Sequence, residues 1–174
     1  MNDFNQIREQ LVLTEENRLM LGKVAMILMP AWFFSGIMKR VIEETGYDLA
    51  AKIYQEAGFQ GAYQWGKVQI EAGLEGRKIM EQYLDSMTHR GWGRFEIIRF
   101  DDTSGNASFR LFNSAVAQAD ARSGRCMCLW VPGALAGAMQ VILDHAGRGI
   151  TVTAWEHQCL AQQADHCEFI LEPV

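Results

Sequence analysis

Three features are missing from this sequence, and each absence disfavours a class of function. No stretch approaches the ~18 uncharged apolar residues of a membrane helix, and Pro30 interrupts the apolar run 24–38. Lysine and arginine form no basic stripe and the net charge is -5 at pH 7, so nucleic-acid binding is disfavoured. The polar, acidic start at Met1 does not resemble a signal peptide, so we expect a cytoplasmic location.

The signatures of common enzyme classes are missing as well. There is no Gly-rich nucleotide loop of the G-x-G-x-x-G type. Gly58 and Gly61 do not form one, because no strand–turn–helix pattern surrounds them. No Ser-His-Asp or G-x-S-x-G arrangement occurs. An enzyme, reductase-like or zinc-dependent, is therefore the alternative interpretation, and a zinc enzyme would need an open coordination position.

Cysteine is absent from most of the chain and then occurs four times near its end. The four are Cys126, Cys128, Cys159 and Cys167. In a reducing compartment such a group favours a metal site or free thiols over disulfides. Because 49% of the 174 residues are hydrophobic, the chain can bury a core without help from metal. We expect one domain over 1–174, with 1–18 as an N-terminal extension.

Apolar periodicity predicts helices in the first half of the chain and strands mostly in the second. The pattern at 18–29 fits either a strand or a buried connection. Gly46 and Gly58 are expected to end helices. A Gly/Ala-rich helix near the C-terminal end should permit close packing. The predicted helices cover 2–11, 31–44, 49–57, 61–72, 73–88 and 127–145, and the predicted strands cover 94–100, 107–112, 150–155 and 167–171. This order predicts an α+β fold, with N-terminal helices packed on an antiparallel sheet.

The cysteines and one carboxylate have a spacing that could bind zinc. Cys159 and Cys167 lie across a predicted hairpin, and Glu156 precedes Cys159 by three residues. Since residues three apart on a straight strand face opposite ways, the strand must bend or end near His157 if both are ligands. Cys128 would join from the start of the helix predicted over 127–145, where the dipole favours a thiolate. Cys126, His157 and His166 are alternative ligands, and buried core cysteines are the alternative to any metal site.

Four segments, taken in this order, carry a resemblance that spans about 19–171. They are Gly91-Trp92-Gly93-Arg94-Phe95-Glu96-Ile97-Ile98, Phe109-Arg110-Leu111-Phe112-Asn113-Ser114, Cys128 with Gly133 five positions later, and Glu156-x-x-Cys159-x7-Cys167-Glu168-Phe169. Together they resemble the 4-vinyl reductase domain, also described as a predicted hydrocarbon-binding domain. Gln163 stands where that family usually has glycine, so it would be strained if the turn needs a positive φ.

The resemblance implies a ligand-binding α+β fold that is shared with nitric-oxide sensor domains and Golgi-trafficking complex subunits. It implies a homodimer and an enclosed pocket for small hydrophobic or aromatic molecules, as in phenol- and toluene-responsive bacterial activators. It also implies a structural zinc ion, whose ligands would fall on Cys128, Glu156, Cys159 and Cys167. The leading interpretation is therefore a non-enzymatic sensor or carrier. Without an ATPase module or a DNA-binding helix-turn-helix, a sensor would report to a downstream protein partner. A protein-assembly module is a further alternative.

Aromatic side chains on the predicted helices are the candidates for a ligand pocket, since such pockets are lined by aromatic and aliphatic groups. Trp32 and Phe33 lie on one helix, and Tyr63 and Trp65 on another. The same residues at helical spacing would also suit an ordinary hydrophobic core.

Overall fold

The structure is a computed structural model that describes residues 11–22, 24–121 and 123–174. Its first part contains a small sheet followed by three helices, and its second part contains two hairpins with a short and a long helix between them. The elements are β1 (Leu11–Leu13), β2 (Leu19–Leu21), β3 (Val24–Met26), α1 (Ala31–Thr45), α2 (Tyr47–Glu71), α3 (Arg77–His89), β4 (Arg94–Phe100), β5 (Ala107–Phe112), α4 (Ala115–Ala119), α5 (Val131–His145), β6 (Val152–Gln158) and β7 (Cys167–Pro173). No helix in these ranges is long and apolar enough to cross a membrane.

The main sheet has four antiparallel strands in the order β4-β5-β7-β6. Alternation along β5 and β7 turns Phe109, Leu111 and Phe169 to one face, where all three are buried. Helices α3 and α5 lie against the sheet. The predicted α+β class and both predicted hairpins are confirmed. α2 packs on α5, so it forms an outer layer.

Helix α5 is the centre of the molecule, and it is buried on all sides from Val131 to Leu143. A helix that is apolar all round must be enclosed, and here α2 and the sheet enclose it. A Cβ on Gly137 would overlap the Phe59 carbonyl oxygen, and one on Gly58 would overlap that of Trp130. The expected close packing of the Gly/Ala-rich helix is therefore confirmed.

Three predicted helix boundaries are wrong, and one of them is the start of the helix expected at 73–88, which begins at Arg77. The helices expected at 49–57 and 61–72 are one helix, α2, and Gly58 lies within it. Gly58 does not end the helix, because its missing side chain serves the contact with the segment that begins α5. The helix expected to begin at 127 begins at Val131, so Cys128 lies just ahead of the helix.

The N-terminal segment forms a separate three-stranded antiparallel sheet in the order β1-β2-β3. The two alternatives for 18–29 are thus decided in favour of strands. Thr14–Asn17 turns the chain between β1 and β2, with the Thr14 N–H donating to Arg18. The helix predicted over 2–11 falls almost entirely on 1–10, outside the described residues.

Candidate functional site

Three thiols and one carboxylate meet at the end of the main sheet. One ligand atom from each of Cys128, Glu156, Cys159 and Cys167 lies within 4.8 Å of all the others. The Sγ atoms of Cys128 and Cys167 are 3.5 Å apart, and those of Cys167 and Cys159 are 3.7 Å apart. Sulfur ligands at about 2.3 Å from one tetrahedral zinc ion lie about 3.8 Å from each other. The spacing of the sulfurs therefore fits a tetrahedral metal site.

A bulge in β6 brings Glu156 and Cys159 to the same side. Glu156 pairs with Phe169, but the next pair along the strands is Gln158 with Glu168, so His157 is an extra residue in β6. A bulge bends its strand and changes the direction of the side chains that follow. The bend that the sequence required near His157 is confirmed.

Cys128 is held in place by the segment that leads into α5. Its backbone N–H donates to Glu156 Oε2 at 3.1 Å, and its Sγ lies 3.2 Å from the hydroxyl of Ser114. Its carbonyl accepts from Val131 at the start of the helix. Cys128 is therefore positioned by a turn and by Glu156, and the predicted place at the helix start is corrected.

Backbone N–H groups surround the sulfur atoms. Those of Met127 and Ala161 each approach Cys159 Sγ at 3.4 Å, and that of Leu160 approaches Cys167 Sγ at 3.4 Å. Hydrogen bonds to an ionised group favour its charged form. This arrangement suits thiolates, which are the form of cysteine that binds metal.

The four groups share their protons unequally. Hydrogen bonds from the thiols of Cys128 and Cys167 lower the pKa of Cys159 to about 2. Hydrogen bonds to Cys159 and Cys167, with burial, raise the pKa of Cys128 well above its usual value. Burial, and then the charge on Cys159, raise the pKa of Glu156 to about 9. A cation that displaced these protons would let all four groups ionise together.

The donor set suits zinc, because thiolates and a carboxylate are ligands that zinc commonly takes. Glu156 Oε1 is buried and has no hydrogen-bond partner among the described residues. Such an atom normally requires a partner, and a metal ion would supply one. The four residues present therefore fit a zinc ion.

The alternative ligands lie outside this cluster. Cys126 is half-buried, and its Sγ lies 3.3 Å from the Gln162 side-chain oxygen. His157 is exposed. His166 contacts the amide of Gln158 at 3.1 Å. The structure thus brings the four predicted ligands together and leaves the three alternatives apart.

Gln163 adopts the left-handed conformation that its place in the turn implied. Its φ is 69° and its ψ is 21°, directly after the short 3₁₀ turn Leu160–Gln162 that follows Cys159. Glycine enters this region without a steric cost, whereas glutamine does not. The strain lies four residues from Cys167.

The four residues predicted to line a ligand pocket are not gathered in one place. Trp32 is 71% exposed and Phe33 is 49% exposed, and the two pack edge to face on α1. Tyr63 stacks on Phe59, and its hydroxyl donates to Asp144 at 2.8 Å. Of the four, Trp65 alone lines either of two clefts beside α2.

The more apolar of these clefts has a volume of about 420 Å³ and lies between α2, α3 and the loops that hold Trp92 and Trp130. The rings of Trp92 and Trp130 meet edge to face at 4.6 Å. Trp65 packs on Tyr83 at 5.0 Å. The cleft is open to solvent, unlike the enclosed pocket that was expected. A second cleft, of about 520 Å³, adjoins it and shares Trp65 and Arg90.

Sequence reasoning missed Tyr83, Arg90, Trp92 and Trp130 as residues of this cleft. Trp92 and Trp130 were noticeable as tryptophans beside the motif glycines and Cys128. Nothing in their spacing indicated that they meet, because they come from loops 38 residues apart.

The fold is similar to those of several solved proteins. The phenol-responsive sensory domain of the transcription activator PoxR, solved with phenol, is similar over 98% of this chain and 88% of its own, with a TM-score of 0.79 and 16% identity. A vinyl-4-reductase family protein from Methanocaldococcus jannaschii is similar over 87% of this chain and 85% of its own, with a TM-score of 0.54 and 16% identity. At these identities the likeness concerns the fold alone.

Two further folds named by the sequence resemblance are also similar. Subunit 3 of the trafficking protein particle complex from Naegleria fowleri, covalently bound to palmitic acid, matches over 83% of this chain and 95% of its own, with a TM-score of 0.53 and 9% identity. An H-NOX protein from S. oneidensis in the Fe(II)NO state matches over 98% of this chain and 88% of its own, with a TM-score of 0.51 and 13% identity. The predicted fold relationships are confirmed.

A family model matches the N-terminal half of the chain. No curated protein matches the sequence. The family model that does match, over residues 11–98, is described as a domain of unknown function, DUF5943. These residues run from β1 into β4 and include Trp65, Tyr83, Arg90 and Trp92 of the cleft. Because the match covers more than half of the chain, the protein belongs to the DUF5943 family.

Proposed function

We propose that this protein binds a small hydrophobic or aromatic molecule without transforming it, as a sensor or carrier, and that a structural zinc ion holds its C-terminal half together. The zinc ligands in this proposal are Cys128, Glu156, Cys159 and Cys167. The observation that carries the zinc site is the approach of four ligand atoms within 4.8 Å of one another.

The zinc would be structural, because four protein ligands fill a tetrahedral coordination sphere and leave no position for substrate. The site joins Cys128 ahead of α5, Glu156 in β6 and Cys167 at the start of β7. A metal at this junction would fix the C-terminal hairpin against the central helix. The alternative of a zinc enzyme would require one of the four residues to give way to water.

The binding role is supported by the 420 Å³ cleft. Its walls combine the rings of Trp65, Tyr83, Trp92 and Trp130, and the described residues that line it include no serine, cysteine, histidine or carboxylate. Pockets of this size and composition suit small apolar ligands. The PoxR sensory domain, solved with phenol, has the same fold, which makes a sensor the first form of this proposal.

We also propose a homodimer, with α1 at its interface. Trp32, Phe33 and Ile37 are exposed on α1, and Ile27 and Leu28 are exposed in the segment before it. Contiguous apolar groups on a surface usually mark a contact with another molecule. The same surface is the observation that favours the second candidate, a protein-assembly module.

The binding proposal is tested by titrating the zinc-loaded protein with phenol, toluene and naphthalene while intrinsic tryptophan fluorescence is recorded. We expect saturable quenching by at least one compound, because three of the five tryptophans line the cleft. Chromatography should recover the compound unchanged after prolonged incubation. Failure of these three compounds and of larger aromatic probes to bind would contradict the proposal, and conversion of the compound would support the enzyme alternative.

A further inference from the structure

One arginine in the cleft has no anionic partner among the described residues, although its partly buried position calls for one. Arg90 lines both clefts and is only partly exposed. Its Nε donates to the Ser86 carbonyl at 3.1 Å. Among the described residues it forms no salt bridge, although Glu71 and Asp85 line the adjoining cleft. A guanidinium has five N–H donors in a planar fork, so most of its donors are available.

Burial without an anionic partner makes the charged form of Arg90 less favourable. Burial lowers the pKa of its guanidinium from the usual value, and Tyr83 opposes that shift only in part. A partly desolvated cation is stabilised by an anion that reaches it. Nothing among the described residues serves as that anion within salt-bridge distance.

A second donor in the same cleft also lacks a partner. The indole N–H of Trp130 is buried and has no hydrogen-bond acceptor among the described residues. Buried tryptophan N–H groups usually find one. Trp130 and Arg90 line the same apolar cleft, but the Trp130 N–H is buried and has no surface that a ligand could reach. Arg90 is therefore the donor that accompanies the aromatic walls, which would enclose an apolar body.

From this combination we infer that the cleft takes a small amphipathic anion. Its aromatic body would lie against Trp65, Tyr83 and Trp92, and its carboxylate or sulfonate would accept from Arg90. Arg90 would thus select charged over neutral ligands of the same shape. This inference rests on the proposed binding function and specifies the ligand class.

A matched pair of fluorescent probes tests the inference on the full zinc-loaded chain. 1-Anilinonaphthalene-8-sulfonate carries an anion, and N-phenyl-1-naphthylamine has the same rings without it. Charge-assisted hydrogen bonds are stronger than hydrogen bonds between neutral groups. We therefore expect the wild type to bind the sulfonate about tenfold more tightly than the neutral probe. Arg90→Gln should remove that preference and change the affinity for the neutral probe less than about twofold.

Two further variants separate charge from fold. Arg90→Lys keeps a cation but not the planar fork, and should retain only part of the preference. Arg77→Gln is the control, because Arg77 pairs with Glu81 and does not line the cleft. If Arg90→Gln does not fold, Arg90→Lys decides the outcome, because it should weaken the binding of the sulfonate and leave that of the neutral probe unchanged.

The possible results distinguish this inference from the binding function on which it rests. Equal affinity of the wild type for the two probes, or a preference that survives Arg90→Gln, overturns the anionic ligand while binding itself stands. If neither probe binds and the small aromatic compounds do not bind either, both proposals fail. Circular dichroism and the melting temperature of each variant show whether weaker binding comes from the cleft or from a loosened fold.

Discussion

Gly133 on α5 lies so close to Gln55 on α2 that a Cβ at Gly133 would overlap the Gln55 backbone carbonyl. Backbone atoms cannot move aside as a flexible side chain can, so this contact fixes the separation of the two helices. Since α5 also lies on the sheet, the same contact sets the position of the segment that carries Cys128. The packing of α2 and the position of the Cys128 end of the Cys/Glu cluster are therefore linked through this glycine contact.

Gly133→Ala should lower the free energy of unfolding by about 2–3 kcal/mol, because overpacking forces the backbone to shift. Gly61→Ala is the matched control on α2, since a Cβ there would meet nothing within 4 Å. Alanine is the better helix former, so the control should be neutral or stabilising by about 0.5–1 kcal/mol. Urea unfolding measures both, and similar losses in the two variants would contradict the account.

The β4–β5 turn should stabilise the fold in a pH-dependent way. Asp101 accepts hydrogen bonds from the Ser104 hydroxyl at 2.7 Å and from the Thr103 N–H at 2.9 Å. The Ser104 side chain first, and then these backbone groups, lower its pKa below 3.8. A depressed folded-state pKa gives stability that is present above the unfolded value and is lost as the pH falls through the folded one.

Asp101→Asn should therefore lower the melting temperature most at neutral pH, and its difference from the wild type should shrink as the pH falls below about 3.8. The measurement is a series of thermal unfolding curves between about pH 7 and 2. Asp102→Asn is the control, because Asp102 makes none of these hydrogen bonds. A constant difference across the series would show that the carboxylate does not act through its charge.

Gln163 offers a test of strain beside the metal site. Because its φ is 69°, Gln163→Gly should be neutral or stabilising by up to about 0.5–1 kcal/mol. Gln163→Val should destabilise by about 1–2 kcal/mol, since a β-branched side chain tolerates positive φ poorly. Chemical denaturation ranks the three proteins. A destabilised glycine variant would mean that the Gln163 side chain has a role of its own.

The exposed apolar face of α1 predicts self-association. Replacing Trp32 and Phe33 together by serine should shift a dimer to a monomer in sedimentation velocity, because both side chains are largely exposed in one copy. Trp155→Ser changes an exposed tryptophan on β6 instead and should leave the mass unchanged. A wild-type monomer at high concentration would contradict the homodimer and leave this face without an explanation.

Local patterns predicted the sheet and the meeting of three cysteines with Glu156, because both depend on short-range features. Alternation placed Phe109 and Leu111 on one face, and a hairpin between Cys159 and Cys167 brings its ends together regardless of the rest of the fold. The bulge at His157 followed from requiring two ligands on one strand. The resemblance supplied the choice of Cys128 over Cys126.

Long-range packing could not be predicted in the same way. Gly58 looks like a helix end in isolation, and only the carbonyl of Trp130, from a distant part of the chain, explains it as a packing position. The cleft depends on the same kind of encounter, because Trp92 and Trp130 come from two separate loops that meet only in the folded chain. Trp32 and Phe33 have the spacing of core residues, but their helix presents them to solvent.

Metal content of the untagged protein, with thiol titration before and after chelation, tests the central claim most directly. We expect about one zinc per chain, bound by four protein ligands, and three thiols that react only after chelator is added. Cys126→Ser should keep the metal, because Cys126 lies outside the cluster, whereas Cys159→Ser should lose it. Protein without metal, in which all four thiols react at once, would contradict the site.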